Sequence, residues 1–172
     1  KVSPQTHIIL GGPEASHLPH RVDFSKADYI IQGEGDVAFY ELCSKLLKGQ
    51  FPQEKLIKAS MVDMNAIELP YAYYTDHDIK NRYCYVEASR GCPFTCEFCL
   101  SSTDKKVRDI NIERFIGELE TLWQKGVRNF KFIDRTFNLS IENATKLLDF
   151  FLSHDEEYFV HFEVIPDHFP SS

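Results

Sequence analysis

Cys92, Cys96 and Cys99 fall within the eight-residue run Cys92-Pro93-Phe94-Thr95-Cys96-Glu97-Phe98-Cys99. The thiolate is the nucleophilic and metal-ligating form of cysteine, and three thiolates on one loop can close on one centre. A structural zinc site needs a fourth ligand, usually drawn from a second paired motif. The remaining cysteines, Cys43 and Cys84, form no such pair. A redox dithiol of Cys96 and Cys99 leaves Cys92 idle and has no helix N-terminus at hand to depress a thiol pKa. Three thiolates with one open coordination position suit a cluster that binds a substrate or cofactor directly to metal. A zinc-binding module and a redox dithiol module are the competing readings.

Such a loop needs a scaffold, and the flanking residues supply one. Residues 83–89 read as a strand entering the loop. Ile112, Phe115, Ile116, Leu119, Leu122 and Trp123 then recur at helical spacing, with Asn111 as N-cap and Gly126 as stop. Residues 130–133 read as a second strand. Ser140 caps a second helix running to about His154, with Ile141, Ala144, Leu147, Leu148 and Phe151 inward, and residues 158–164 form a third strand. Strands separated by single helices predict a parallel sheet or barrel, whose strand C-termini are where sites are built. Upstream, residues 8–10 and 29–31 read as strands and 36–47 as a helix with Val37, Phe39 or Tyr40, Leu42 and Leu46 on one side, stopped by Gly49. The fold class is therefore α/β. Residues 1–48 are the C-terminal part of a doubly wound domain, 49–82 an inter-domain connection with one short strand near Leu56, and 83–172 the first part of a barrel.

The 172 residues are 43% hydrophobic and 26% charged, enough to bury a core without disulfides. A net charge of −7, with basic residues scattered, gives no electrostatic support for a nucleic-acid partner. No apolar run approaches the roughly 18 residues that span a bilayer, and no signal-peptide core follows the N-terminus. The chain reads as cytoplasmic.

The run Arg90-Gly91-Cys92-Pro93-Phe94-Thr95-Cys96-Glu97-Phe98-Cys99 resembles the cluster loop of radical S-adenosylmethionine enzymes, C-x3-C-x-aromatic-C, with Phe98 at the aromatic position. The resemblance implies that Cys92, Cys96 and Cys99 hold a 4Fe-4S cluster. Its fourth iron would chelate the methionine moiety of S-adenosylmethionine, with Phe98 beside the adenine. One-electron reduction by a donor such as a flavodoxin or ferredoxin would then yield a 5′-deoxyadenosyl radical that functionalises a small-molecule substrate. Gly11-Gly12-Pro13-Glu14 and residues 28–36 resemble the last third of the cobalamin-binding domain that precedes the barrel in one subfamily, which includes anaerobic magnesium-protoporphyrin monomethyl ester oxidative cyclases. Gly11 and Gly12 match the element lying against the cofactor's nucleotide tail, so cobalamin is a further expected cofactor, with methyl transfer or oxidative cyclisation as outcomes. Residues 132–138 resemble the subfamily's segment after the second barrel strand. The cobalt-ligating histidine motif would lie upstream of residue 1.

Asp134 closes the second strand where many such enzymes carry a Gly-Gly-Glu segment that contacts the methionine amino group; here Asp134 and nearby backbone are the candidates, and Arg135 is a candidate ion-pair partner for Asp134. Strand alternation groups Phe159, His161 and Glu163 on one face and Tyr85, Glu87 and Ser89 on another, both facing a lumen. For the second strand, either Phe130 and Phe132 or Lys131 and Ile133 could face inward. Gly33-Glu34-Gly35-Asp36-Val37-Ala38 fits the spacing of a dinucleotide fingerprint, but Glu34 and Asp36 set negative charge where a pyrophosphate would approach; a tight turn into a helix is the better reading. The chain reads as an internal fragment, expected to be inactive alone and to self-associate through an open strand edge. Without metal, residues 92–109, anchored by Phe94, Phe98, Leu100 and Val107, are expected to be less ordered than the helix that follows.

Overall fold

A computed structural model describes residues 3, 5–17, 22–99 and 104–169. The chain divides into two compact units, 1–67 and 68–172. The connecting stretch 49–82 is thus shared between them, divided after Ile67.

In the first unit, β1 (Ile9–Leu10), a one-turn α1 (Pro13–Ser16), β2 (Tyr29–Gln32), α2 (Gly35–Leu47) and β3 (Leu56–Lys58) follow in order. The strands form a parallel sheet in the order β1-β2-β3, with Ile9 opposite Tyr29 and Ile31 opposite Ile57. Tyr29, Ile31 and Leu42 are the buried centre, and Ile9, Ala38, Leu46 and Ile57 pack around them. The apolar side of α2 is narrower than the sequence suggests: Val37 and Phe39 are about half exposed, because α2 turns Ala38, Leu42 and Leu46 to the sheet.

The second unit opens with a 3-10 turn (Pro70–Tyr73) and α3 (Asp76–Asn81), whose Thr75 and Asp78 form a reciprocal capping box. It continues through β4 (Cys84–Val86), β5 (Ser89–Arg90), β6 (Arg108–Asp109), α4 (Ile112–Gln124), β7 (Asn129–Phe132), α5 (Ile141–Leu152) and β8 (Phe159–His161). β4, β7 and β8 form a parallel sheet in that order, as alternating strands and helices demand. Asn111 and Ser140 cap α4 and α5 as expected, accepting from the backbone N–H of Arg114 and Asn143. Cys84, Val86, Phe130 and Phe132 are essentially inaccessible on one sheet face, where the rings of Phe115 and Phe151 meet those of Phe130 and Phe132; Leu119, Leu122 and Leu147 of the same helices are buried as well. The sheet therefore turns Lys131 and Ile133 to the other face, resolving the ambiguity of the second strand. In α5, Phe150 is buried where Ile141 and Leu148 stay more than a third exposed.

Two boundaries differ from the expected ones. The strand at 83–89 breaks after Val86, and its tail leaves the parallel sheet to pair antiparallel with β6. The strand at 158–164 keeps ladder pairing only over β8, although the Phe137 N–H still donates to the Glu163 carbonyl at 3.0 Å. Two phenols cap the outer edge of β4. Tyr71 Oη accepts from the Glu87 N–H at 2.9 Å and lies 3.3 Å from its carbonyl, while Tyr74 Oη is 2.8 Å from both the N–H and the carbonyl of Tyr85. An edge strand's exposed polar groups are a template for unwanted pairing, and these side chains occupy them.

Candidate functional site

The cysteine loop leaves the sheet at the C-terminal end of β4 and is closed by a two-stranded stem. Ser89 pairs with Asp109 and Arg90 with Arg108. Above the stem the Cys92 N–H donates to the Asp104 carbonyl at 2.8 Å, and the Arg108 guanidinium holds the Asp104 carboxylate at 2.7 Å. Gly91 makes this crossing feasible. Its φ is +103°, and a Cβ there would stand 2.5 Å from the Lys106 carbonyl oxygen, a backbone conformation and a distance that other residues do not tolerate.

None of the three cysteines is in a disulfide; Cys92 and Cys99 are half-buried and Cys96 is exposed. The Cys99 N–H donates to the Cys96 carbonyl at 3.1 Å, so the second half of the motif is a tight turn. Among the described residues no three His, Cys, Asp or Glu side chains are gathered as a metal site; the stem brings the cysteines to one loop without drawing the sulfurs together. The donor set still fits a cluster: three cysteines outside any disulfide on one loop. Phe98, with 93% of its surface exposed, stands beside Cys99 with its ring uncommitted to the core. Of the loop's expected apolar anchors, Phe94 is exposed and Val107 half-buried, and Leu100 lies outside the described residues. Cys84 is inaccessible beneath the sheet, its thiol pushed up to about 11 by burial, and offers no fourth ligand.

Asp134 is 2% exposed and grips the root of the stem. Its Oδ1 accepts from the Ser89 N–H at 2.6 Å and the Ser89 hydroxyl at 2.7 Å, and Oδ2 accepts from the Ala88 N–H at 3.1 Å. The Ala88 carbonyl in turn accepts from the Ile110 N–H at 2.8 Å. Burial pushes the Asp134 carboxyl up to about 6, against the opposing pull of these donors. The candidate ion pair between Asp134 and Arg135 does not form: Arg135 reaches Glu163, two residues past β8, at 3.0 Å, because adjacent residues of an extended segment point to opposite sides. Asn138 is a further buried polar residue that sequence reasoning passed over. It accepts from the Ile165 N–H and donates to the Ile165 and His168 carbonyls, holding the segment after β8. Only a buried polar residue just past a strand end could have signalled it.

In the first unit, Gly11, Gly12, Gly33 and Gly35 line a groove of about 420 Å³ at the C-terminal ends of β1 and β2, with Asp36 and Phe39 on its rim. Cofactor pockets fall in the range of about 300–1,000 Å³. Gly12 has φ +93°, and a Cβ at Gly12 or Gly35 would meet no atom within 4 Å; the absent side chains leave open space against bare backbone. The Glu34 carboxylate accepts from the Val62 N–H at 2.6 Å, a structural use of an acid that would have opposed a pyrophosphate.

No protein-family model matches the chain. In sequence it is 29% identical to an uncharacterized methyltransferase of Pyrococcus horikoshii, over 83% of this chain and 36% of that protein. It is 27% identical to the cobalamin-dependent radical SAM methyltransferase TokK of Streptomyces tokunonensis, over 79% of this chain and 24% of that protein. In structure it matches the radical S-adenosylmethionine methyltransferase TsrM from Kitasatospora setae, determined with cobalamin and a [4Fe-4S] cluster bound. The TM-score is 0.58 and the identity 17%, over 83% of this chain and 33% of that one. That likeness shows the fold, a mixed α/β chain with parallel sheets. All three of these proteins are named as methyltransferases. The chain spans 24–36% of the length of these relatives. Among the described residues no helix is long and apolar enough to cross a membrane.

Proposed function

We propose that this chain is part of a cobalamin-dependent radical S-adenosylmethionine methyltransferase. The observation that carries the reading is the stem-closed loop carrying three cysteines outside any disulfide past the C-terminal end of a parallel strand, in a fold shared with such an enzyme. Cys92, Cys96 and Cys99 hold the iron–sulfur cluster. Phe98 offers its ring to the adenine of S-adenosylmethionine. Asp134 orients the loop through the amides of Ala88 and Ser89 and so acts as a positioning residue. Gly11 and Gly12 form the wall on which the nucleotide tail of cobalamin lies. When bound, the cluster supplies single electrons and cobalamin carries a methyl group between S-adenosylmethionine and an acceptor. A flavodoxin or ferredoxin is the proposed electron donor. The sequence resemblance also admits cyclisation; methyl transfer is preferred because the similar proteins are methyltransferases.

The test is anaerobic reconstitution of the whole protein with iron and sulfide, followed by addition of cobalamin. About four irons per chain, a broad absorption at roughly 400 nm lost in Cys96→Ala, and stoichiometric cobalamin are expected. Stoichiometric zinc with no iron uptake would overturn the reading.

A further inference from the structure

The open face of the β4-β7-β8 sheet carries a cation that nothing beside it neutralises. The residues turned away from the helices fall in rows. Tyr85, Lys131 and His161 are register partners on the three strands. Towards the strand N-termini, Tyr83 and Phe159 close the face with rings 5.3 Å apart. Towards the C-termini, Glu87 is held by Arg90 at 2.8 Å and Glu163 by Arg135 at 3.0 Å. Both acids on this face are therefore committed to arginines. Lys131 Nζ lies 5.6 Å from the centroid of the Tyr85 ring, and it is in none of the ion pairs among the described residues. One strand further, His161 Nδ1 is buried without a hydrogen-bond partner.

The ammonium of Lys131, supported by a ring face, and the unpartnered ring nitrogen of His161 on the adjacent strand, a donor in the tautomer that carries its hydrogen on Nδ1, leave two hydrogen-bonding positions unfilled. Adjacent strands lie about 4.8 Å apart, so two donors side by side can divide the two oxygens of one carboxylate. A single fixed positive charge matches a monoanion, whereas a phosphate dianion would place surplus negative charge beneath Glu87 and Glu163. We infer that Lys131 and His161, with Tyr85 as platform, hold a carboxylate of the methyl-accepting substrate and so determine its specificity. The inference rests on the proposed function only in naming the acceptor as the carboxylate's owner.

Trace acetylation of lysines in the whole protein, read by mass spectrometry, tests it. Sodium butyrate is the probe, with sodium chloride at equal ionic strength as reference and exposed Lys80 as internal control. Butyrate should slow labelling of Lys131 about tenfold, the effect of occupying roughly nine sites in ten, and leave Lys80 unchanged. His161→Phe should remove the protection and His161→Gln, which keeps a donor, should restore part of it; urea unfolding of both variants verifies that they fold. Three results would overturn the inference: no protection of Lys131, protection by inorganic phosphate as strong as by butyrate, or full protection by S-adenosylmethionine alone in the reconstituted protein, which would make the carboxylate the co-substrate's. Iron and cobalamin binding without butyrate protection defeats this inference and leaves the proposed function standing. Protection in a protein that binds neither cofactor keeps the anion site and removes the methyl acceptor as its owner.

Discussion

Asp134 provides a test of the loop's anchorage through pH. Its carboxyl is carried by burial from the ordinary 3.8 to about 6 in the folded chain, while in the unfolded chain it titrates near the ordinary value. Between those two pH values the folded state binds more protons than the unfolded one. Stability contributed by this group is therefore greatest at and below pH 4, falls as pH rises towards 6, and is level above that. Each pKa unit is worth about 1.4 kcal/mol, so the full change is on the order of 3 kcal/mol. In Asp134→Asn the titration is gone, but an amide cannot accept from all three donors on Ala88 and Ser89, and one buried donor left unmet costs about 1–3 kcal/mol at every pH. The assay is urea unfolding at four pH values from 4 to 7, followed by the fluorescence of Trp123, the single tryptophan, buried in the same unit. The stability difference between parent and variant should narrow by about 3 kcal/mol from pH 4 to pH 7. Parallel profiles, or a parent that gains on the variant as pH rises, would refute the argument and place the folded carboxyl at or below its ordinary value.

Gly91→Ala should abolish iron loading while leaving far-UV circular dichroism nearly unchanged, since its Cβ would press on the Lys106 carbonyl at 2.5 Å; normal iron content would show that the stem crossing is not needed for the cluster. Tyr71→Phe removes the phenol that covers the Glu87 backbone groups and should cost about 1–3 kcal/mol in urea unfolding, with increased self-association by light scattering from the freed strand edge. Phe115→Ala, at an inaccessible position between Tyr71 and Phe132, should cost about 3–5 kcal/mol; a loss below 1 kcal/mol would mean that the core around it collapses to fill the void. Gly12→Val should weaken cobalamin binding at least tenfold (about 1.4 kcal/mol) without changing iron content, and unaltered cobalamin affinity would remove the glycine groove from the site.

Local chemistry was legible from the residues in order. The spacing of Cys92, Cys96 and Cys99 is covalent, so the tertiary fold could only place it. The caps at Asn111 and Ser140 act within one turn, and the apolar period of 112–123 is a property of the helix itself; both α4 and α5 therefore begin where the sequence says. Which face of β7 is inside could not be read, because Phe130, Lys131, Phe132 and Ile133 offer apolar groups to both sides; the choice fell to α4 and α5, which bring Phe115 and Phe151 against the Phe130 and Phe132 face. Strand lengths were overestimated for a related reason: a residue belongs to a ladder only where a neighbour supplies partners, and the chain after Val86 finds them on β6 instead of β7. Nothing in the order of residues ties Tyr71 and Tyr74 to the β4 edge, Asp134 to Ser89 45 residues away, or Arg135 to Glu163 across 28 residues. Such partners are decided by where the chain crosses itself, and a charge or hydroxyl in the sequence carries no record of which distant group will need it.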